Sequence, residues 1–235
     1  MKYIIANWKS NLNQAEVKNW VSEVKKSGLI EKLRQQHCEV VVCPSFIWMP
    51  TLKQAWPELT LGAQTVSPYP NGAYTGAVSA LMVSEFAQYA ILGHLERRTH
   101  FAETEPIVAR QTVEALEAKL TPIIAVDDQN WQHQLSQLDR DQLAKVVLMY
   151  EPASAISTMG DGKAVAVETV EQKIDEILDE YKVKAVLYGG SVNAANVRPY
   201  LTAEKIAGVV PGASSLDPQK FIELLQAALS ALSGK

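Results

Sequence analysis

Three residues with reactive side chains each stand where a short apolar run gives way to polar chain. They are Lys9 in Ala6-Asn7-Trp8-Lys9, His94 in Ile91-Leu92-Gly93-His94 and Glu151 in Leu148-Met149-Tyr150-Glu151. A lysine, a histidine and a glutamate brought to one place supply a cation for an anionic substrate, a donor that polarises a carbonyl, and a general base. Taken singly, each residue is as readily an ordinary polar group at the end of a strand, so the chemistry depends on the elements that would gather them.

Those elements can be read from the pattern. Short apolar, β-branched runs occur at 3–7, 40–43, 59–63, 90–93, 122–126, 146–151, 185–189 and 206–210. Segments with helical periodicity lie between them, which is the alternation of a parallel sheet. Ser79-Ala80-Leu81-Met82 opens one helix, 103–120 carries an apolar stripe, and 167–181 repeats Val170, Ile174, Ile177 and Leu178 at three- and four-residue spacing. Asp217-Pro218 gives the last helix an N-cap followed by proline in the first turn. Eight such βα units in 235 residues point to an α/β chain forming a single (β/α)8 barrel, although an open doubly wound sheet fits the same alternation. Nothing resembling a linker divides residues 1–235, so one domain is expected. In a barrel the reactive groups come from the C-terminal ends of the strands, which sends Lys9, His94 and Glu151 to one mouth.

Composition narrows the function. With 47% hydrophobic residues, 20% charged residues and a net charge of −4, the chain has material for a large core and no basic footprint for nucleic acid. Cys38 and Cys43 have neither redox nor metal-ligand spacing, and reduced structural thiols are expected. No metal or nucleotide motif is present, so no cofactor is expected. No apolar run approaches the length of a membrane span, and the N-terminal run is too short for a signal sequence; a cytoplasmic protein free of the membrane follows as an expectation.

Four segments in order, Ala6-Asn7-Trp8-Lys9, Gly93-His94-Leu95-Glu96-Arg97-Arg98, Tyr150-Glu151-Pro152 and Tyr188-Gly189-Gly190-Ser191, resemble the triosephosphate isomerase family. Gly62-Ala63-Gln64, Gly72-Ala73-Tyr74-Thr75-Gly76 and the stretch 208–216 extend the resemblance over nearly the whole chain. It implies interconversion of dihydroxyacetone phosphate and D-glyceraldehyde 3-phosphate through an enediolate, in glycolysis and gluconeogenesis. Glu151 would be the base, His94 a neutral imidazole on the substrate oxygens, and Lys9 the cation; Asn7 would shape the same wall. Ser157, Ser191, Gly212 and Ala213 would hold the phosphate, largely through backbone N–H groups. The resemblance also implies a lid over 152–164, held on closing by Tyr188 and Ser191, and a homodimer through the loop from Gln64 to Ser79. That loop would reach a partner near Asn11 and Lys9, with Thr75 at the contact.

Several positions depart from the family's pattern. Leu95 stands where serine is usual, Asp127-Asp128 replace Gly-Glu after Ala125-Val126, and Ser154 stands where tryptophan is usual in a longer lid. Ala213 replaces the second glycine of a pair, where a positive φ would strain a Cβ, and Pro211 precedes that pair. Ala77 follows Gly76 where glutamate is common. Two other readings fit the same residues: a barrel that binds phosphosugars without efficient turnover, and an isomerase of another phosphosugar.

Overall fold

The computed structural model describes residues 1–152 and 164–234. Eight strands, β1 (Lys2–Asn7), β2 (Cys38–Cys43), β3 (Thr60–Ala63), β4 (Tyr89–Leu92), β5 (Thr121–Val126), β6 (Val147–Tyr150), β7 (Ala185–Tyr188) and β8 (Gly208–Val209), pair in sequence order into a closed parallel barrel. Closure is made by Tyr3 opposite Gly208 and Ile4 opposite Val209. The open-sheet alternative is thereby excluded.

The strands are apolar on both faces because each face meets a core. Tyr3 and Ile5 join Val41, Ile91, Ile123, Val147 and Leu187 inside the barrel, while Ile4 and Ala6 belong to the larger layer packed under the helices. This two-residue alternation aims side chains at the mouth. Along β6, Val147 and Met149 lie inside, so Glu151 continues the inward set.

The helices are α1 (Gln14–Ser27), α2 (Leu29–Gln35), α3 (Met49–Ala55), α4 (Ala80–Ser84), α5 (Leu95–Phe101), α6 (Glu105–Glu117), α7 (Trp131–Leu135), α8 (Arg140–Leu143), α9 (Val167–Glu180), α10 (Val197–Thr202) and α11 (Pro218–Ser233). Their ends follow from local chemistry. Asn13 caps α1 in a reciprocal box with Glu16, and Gly28 in the left-handed region stops it. Asp217 caps α11 by accepting from the Lys220 N–H at 2.9 Å, with Pro218 in the first turn, as the sequence implies.

Boundaries differ from expectation in instructive ways. The segment 103–120 yields a helix only over Glu105–Glu117, because Thr104 is its N-cap and Lys119 adopts a φ of 61°. The strand expected at 206–210 shrinks to Gly208–Val209, and those expected at 146–151 and 185–189 end at Tyr150 and Tyr188. Single hydrogen bonds continue past these ends: Glu151 N–H donates to the Val126 carbonyl at 2.8 Å, Gly189 N–H to Tyr150 at 2.8 Å and Val210 N–H to Tyr188 at 2.9 Å. Residues just beyond the ladders are therefore still fixed to a neighbouring strand. Leu178, read as part of the buried stripe of α9, is 46% exposed, and Val170, Ile174 and Ile177 alone form that face.

Candidate active site

Asn7, Lys9, His94 and Glu151 line one cavity of about 570 Å³ at the C-terminal end of the barrel, together with Ser191, Gly212 and Ala213. Every described residue that the sequence nominated for the site is thus in one place. Ser157 and most of the expected lid lie outside the described residues.

The local backbone explains how the reactive groups are aimed. Lys9 has a φ of 51°, held by its N–H donating to Asn7 Oδ1 at 3.1 Å and by Gln64 Nε2 donating to its carbonyl at 2.6 Å. A lysine in this region is strained, and such strain is maintained only where the surroundings fix it. His94 follows Ile91, which lies inside the barrel, by an odd number of residues, so simple alternation would turn it outward. Gly93, with a φ of 65°, breaks the alternation and makes His94 the N-cap of α5.

His94 and Glu151 are buried and touch, with Nε2 and Oε1 3.1 Å apart. The Glu96 N–H donates to His94 Nδ1 at 3.2 Å, which requires that nitrogen to be unprotonated and leaves the proton of a neutral ring on Nε2, directed at Glu151. Burial lowers the imidazole pKa. The charge of Glu151 and its hydrogen bond outweigh that and raise it overall, with Lys9 opposing and Glu96 adding a smaller contribution. The raising cause is the contact with Glu151, so a substrate that separates the two restores the neutral ring favoured by burial and by the Glu96 amide.

The second carboxylate oxygen of Glu151 lies 3.5 Å from the Leu95 N–H. Behind the base stands Gly189, where an added Cβ would meet Glu151 Cγ and Met149 Cγ at 2.7 Å. Lys9 Nζ pairs with Glu96 at 2.5 Å. Glu96 was not nominated by the sequence, since nothing in its spacing links it to a lysine 87 positions earlier; its only signal is membership of the segment that contains His94.

On the other wall, Gly212 lies beside the lysine stem, with Lys9 Cε 3.6 Å from where a Cβ would be. Ala213 begins a 3-10 turn, Ala213–Ser215, and is not among the residues with positive φ. The strain expected of a Cβ at that position is therefore not present. Asp128 accepts from the Tyr150 hydroxyl at 3.0 Å, placing a carboxylate beside the residue that precedes the base. Among the described residues, no group of three or more His, Cys, Asp or Glu is placed to hold a metal ion, and no helix is long and apolar enough to cross a membrane.

A sequence profile described as triosephosphate isomerase matches residues 2–228. The chain belongs to the triosephosphate isomerase family. It is 32% identical over 253 residues to the triosephosphate isomerase of Dictyoglomus turgidum, covering 96% of this chain and 98% of that protein. The corresponding protein of Thermus thermophilus is 34% identical over 250 residues, with 96% of this chain and 98% of the other covered. Membership of this isomerase family agrees with the barrel and with the position of the cavity at its mouth.

Proposed function

We propose that this chain interconverts dihydroxyacetone phosphate and D-glyceraldehyde 3-phosphate by proton transfer through an enediolate. The observation that carries the reading is the buried contact of His94 Nε2 with Glu151 Oε1 at 3.1 Å, in a cavity that also holds Lys9. Glu151 removes a proton from the carbon beside the carbonyl and, as a carboxylic acid, returns it to the adjacent carbon. His94 donates from Nε2 to the oxygen that gains charge, and moves a proton between the two substrate oxygens. Lys9 balances the developing enediolate and the phosphate. Asn7 holds Lys9 in its strained conformation, so its part is to aim the cation. Ser191 and the backbone at Gly212 and Ala213 receive the phosphate, together with Ser157 by family resemblance.

The same reading makes the protein a cytoplasmic homodimer, one barrel domain per subunit, joined through the loop from Gln64 to Ser79. Residues 71–77 of that loop are exposed throughout, and Tyr69 and Tyr74 stack on each other at 4.5 Å while both remain exposed. Apolar rings left in solvent on a projecting loop suit burial by a second copy.

A coupled assay of dihydroxyacetone phosphate turnover tests the function. Steady turnover without added metal or nucleotide is expected. Binding of the phosphosugar with no turnover would favour a barrel that only binds, and turnover of a different phosphosugar alone would change the substrate.

A further inference from the structure

Tyr200, on α10, has no role in the chemistry above, yet it shares a set of close contacts with Tyr188 behind the glycines that line the cavity. Its ring stacks on that of Tyr188, the last residue of β7, with centroids 4.6 Å apart and planes 17° from parallel. Both tyrosines are buried. Together they grip one residue, Val165, whose N–H donates to the Tyr188 hydroxyl at 2.8 Å and whose carbonyl accepts from the Tyr200 hydroxyl.

Val165 N–H donates to Tyr188 and Tyr200 donates to the Val165 carbonyl, so the two stacked phenols clasp one backbone residue through both of its polar groups. Removing the Tyr200 hydroxyl leaves that carbonyl without its partner.

This clasp is connected to the base. A Cβ built on Gly190 would fall 2.1 Å from the Tyr188 hydroxyl oxygen, so the Gly190 backbone rests directly on that hydroxyl. Its neighbour Gly189 rests on Glu151 Cγ. Contacts therefore run without a gap from Tyr200 through Tyr188 and the two glycines to the carboxylate. We propose that Tyr200 is a positioning residue for Glu151, fixing through Tyr188 and Val165 the glycine wall against which the base is held. This inference rests on the function proposed above.

The test compares the parent protein with Tyr200→Phe, Tyr188→Phe and the double variant, measuring kcat, KM and Tm for each. Tyr200→Phe keeps the stacked ring and is expected to lower kcat about tenfold, with KM changed less than about threefold, because a base displaced by a fraction of an ångström loses rate before it loses affinity. The double variant is expected to be no slower than the slower single variant, since both hydroxyls act through the same clasp on Val165. A Tyr200→Phe protein with kcat within about twofold of the parent, whatever its Tm, overturns the inference. So do losses that multiply in the double variant. If Tyr200→Phe does not fold, Tyr200→His, which keeps a ring but moves the polar atom away from the Val165 carbonyl, decides: an about tenfold lower kcat at similar KM supports the inference, and an unchanged kcat overturns it. A parent that does not turn over dihydroxyacetone phosphate rejects the proposed function itself, whereas an active parent indifferent to these changes rejects only the role of Tyr200.

Discussion

The base and the electrophile are in contact with each other, with His94 Nε2 and Glu151 Oε1 3.1 Å apart, and this has consequences for pH. The Glu151 contact raises the His94 pKa above its ordinary 6.5 against the lowering effect of burial. The free enzyme should thus take up an inactivating proton on the pair above that pH, and the acid limb of kcat/KM should fall there. In the substrate complex the contact is broken, so kcat should hold to lower pH. Parallel profiles of kcat and kcat/KM would contradict this. The same raised pKa means that proton binding favours the folded state: the contribution is complete below the unfolded pKa of about 6.5 and is lost as pH rises through the folded value. Glu151→Asp retracts the carboxylate from His94 and should lower kcat by about two to three decades with little change in KM, measured by steady-state kinetics. Lys9, His94 and Glu151 were legible because each follows an apolar run. Glu96 and Tyr200 were not, since their partners are brought to them only by the closed barrel.

At the scale of the element, the end of β7 shows why the strand ends must be so exact in composition. A methyl group at Gly189 would press on Glu151 Cγ and Met149 Cγ, both from buried residues with little room to move. Gly189→Ala should therefore lower kcat by about a hundredfold while costing about 1–3 kcal/mol of stability, read together by kinetics and thermal unfolding. A variant as active as the parent would show that the wall yields and that the base is not held by it. The order and number of strands could be read from the apolar runs, because a doubly buried strand leaves an unmistakable run of residues such as Tyr3, Ile4, Ile5 and Ala6. Their limits could not. Val210 and Glu151 keep one hydrogen bond to a neighbouring strand after the ladder has ended, and hydropathy does not distinguish that from continued pairing. The exposure of Leu178 was equally hidden, as a helical stripe reads the same whether its edge is covered or not.

For the whole molecule, eight runs alternating with helices point to a closed barrel without excluding an open sheet, and the deciding contact, Tyr3 with Gly208, joins residues at opposite ends of the chain. The proposed dimer can be tested at the exposed loop. Tyr74→Asp, which replaces an exposed ring stacked on Tyr69 with a charge, should shift sedimentation from dimer toward monomer and lower activity per subunit on dilution. A fully active monomer would remove the partner from any role in the site. In the proposed reaction Glu151 carries a proton between the two carbons of a triose phosphate, and turnover in deuterium oxide follows that proton. The parent enzyme should release D-glyceraldehyde 3-phosphate carrying solvent deuterium at the carbon that received the proton, because a carboxylic acid exchanges while the enediolate is bound, and Glu151→Gln should abolish both turnover and labelling. Undiminished labelled turnover by the Gln variant would contradict the account.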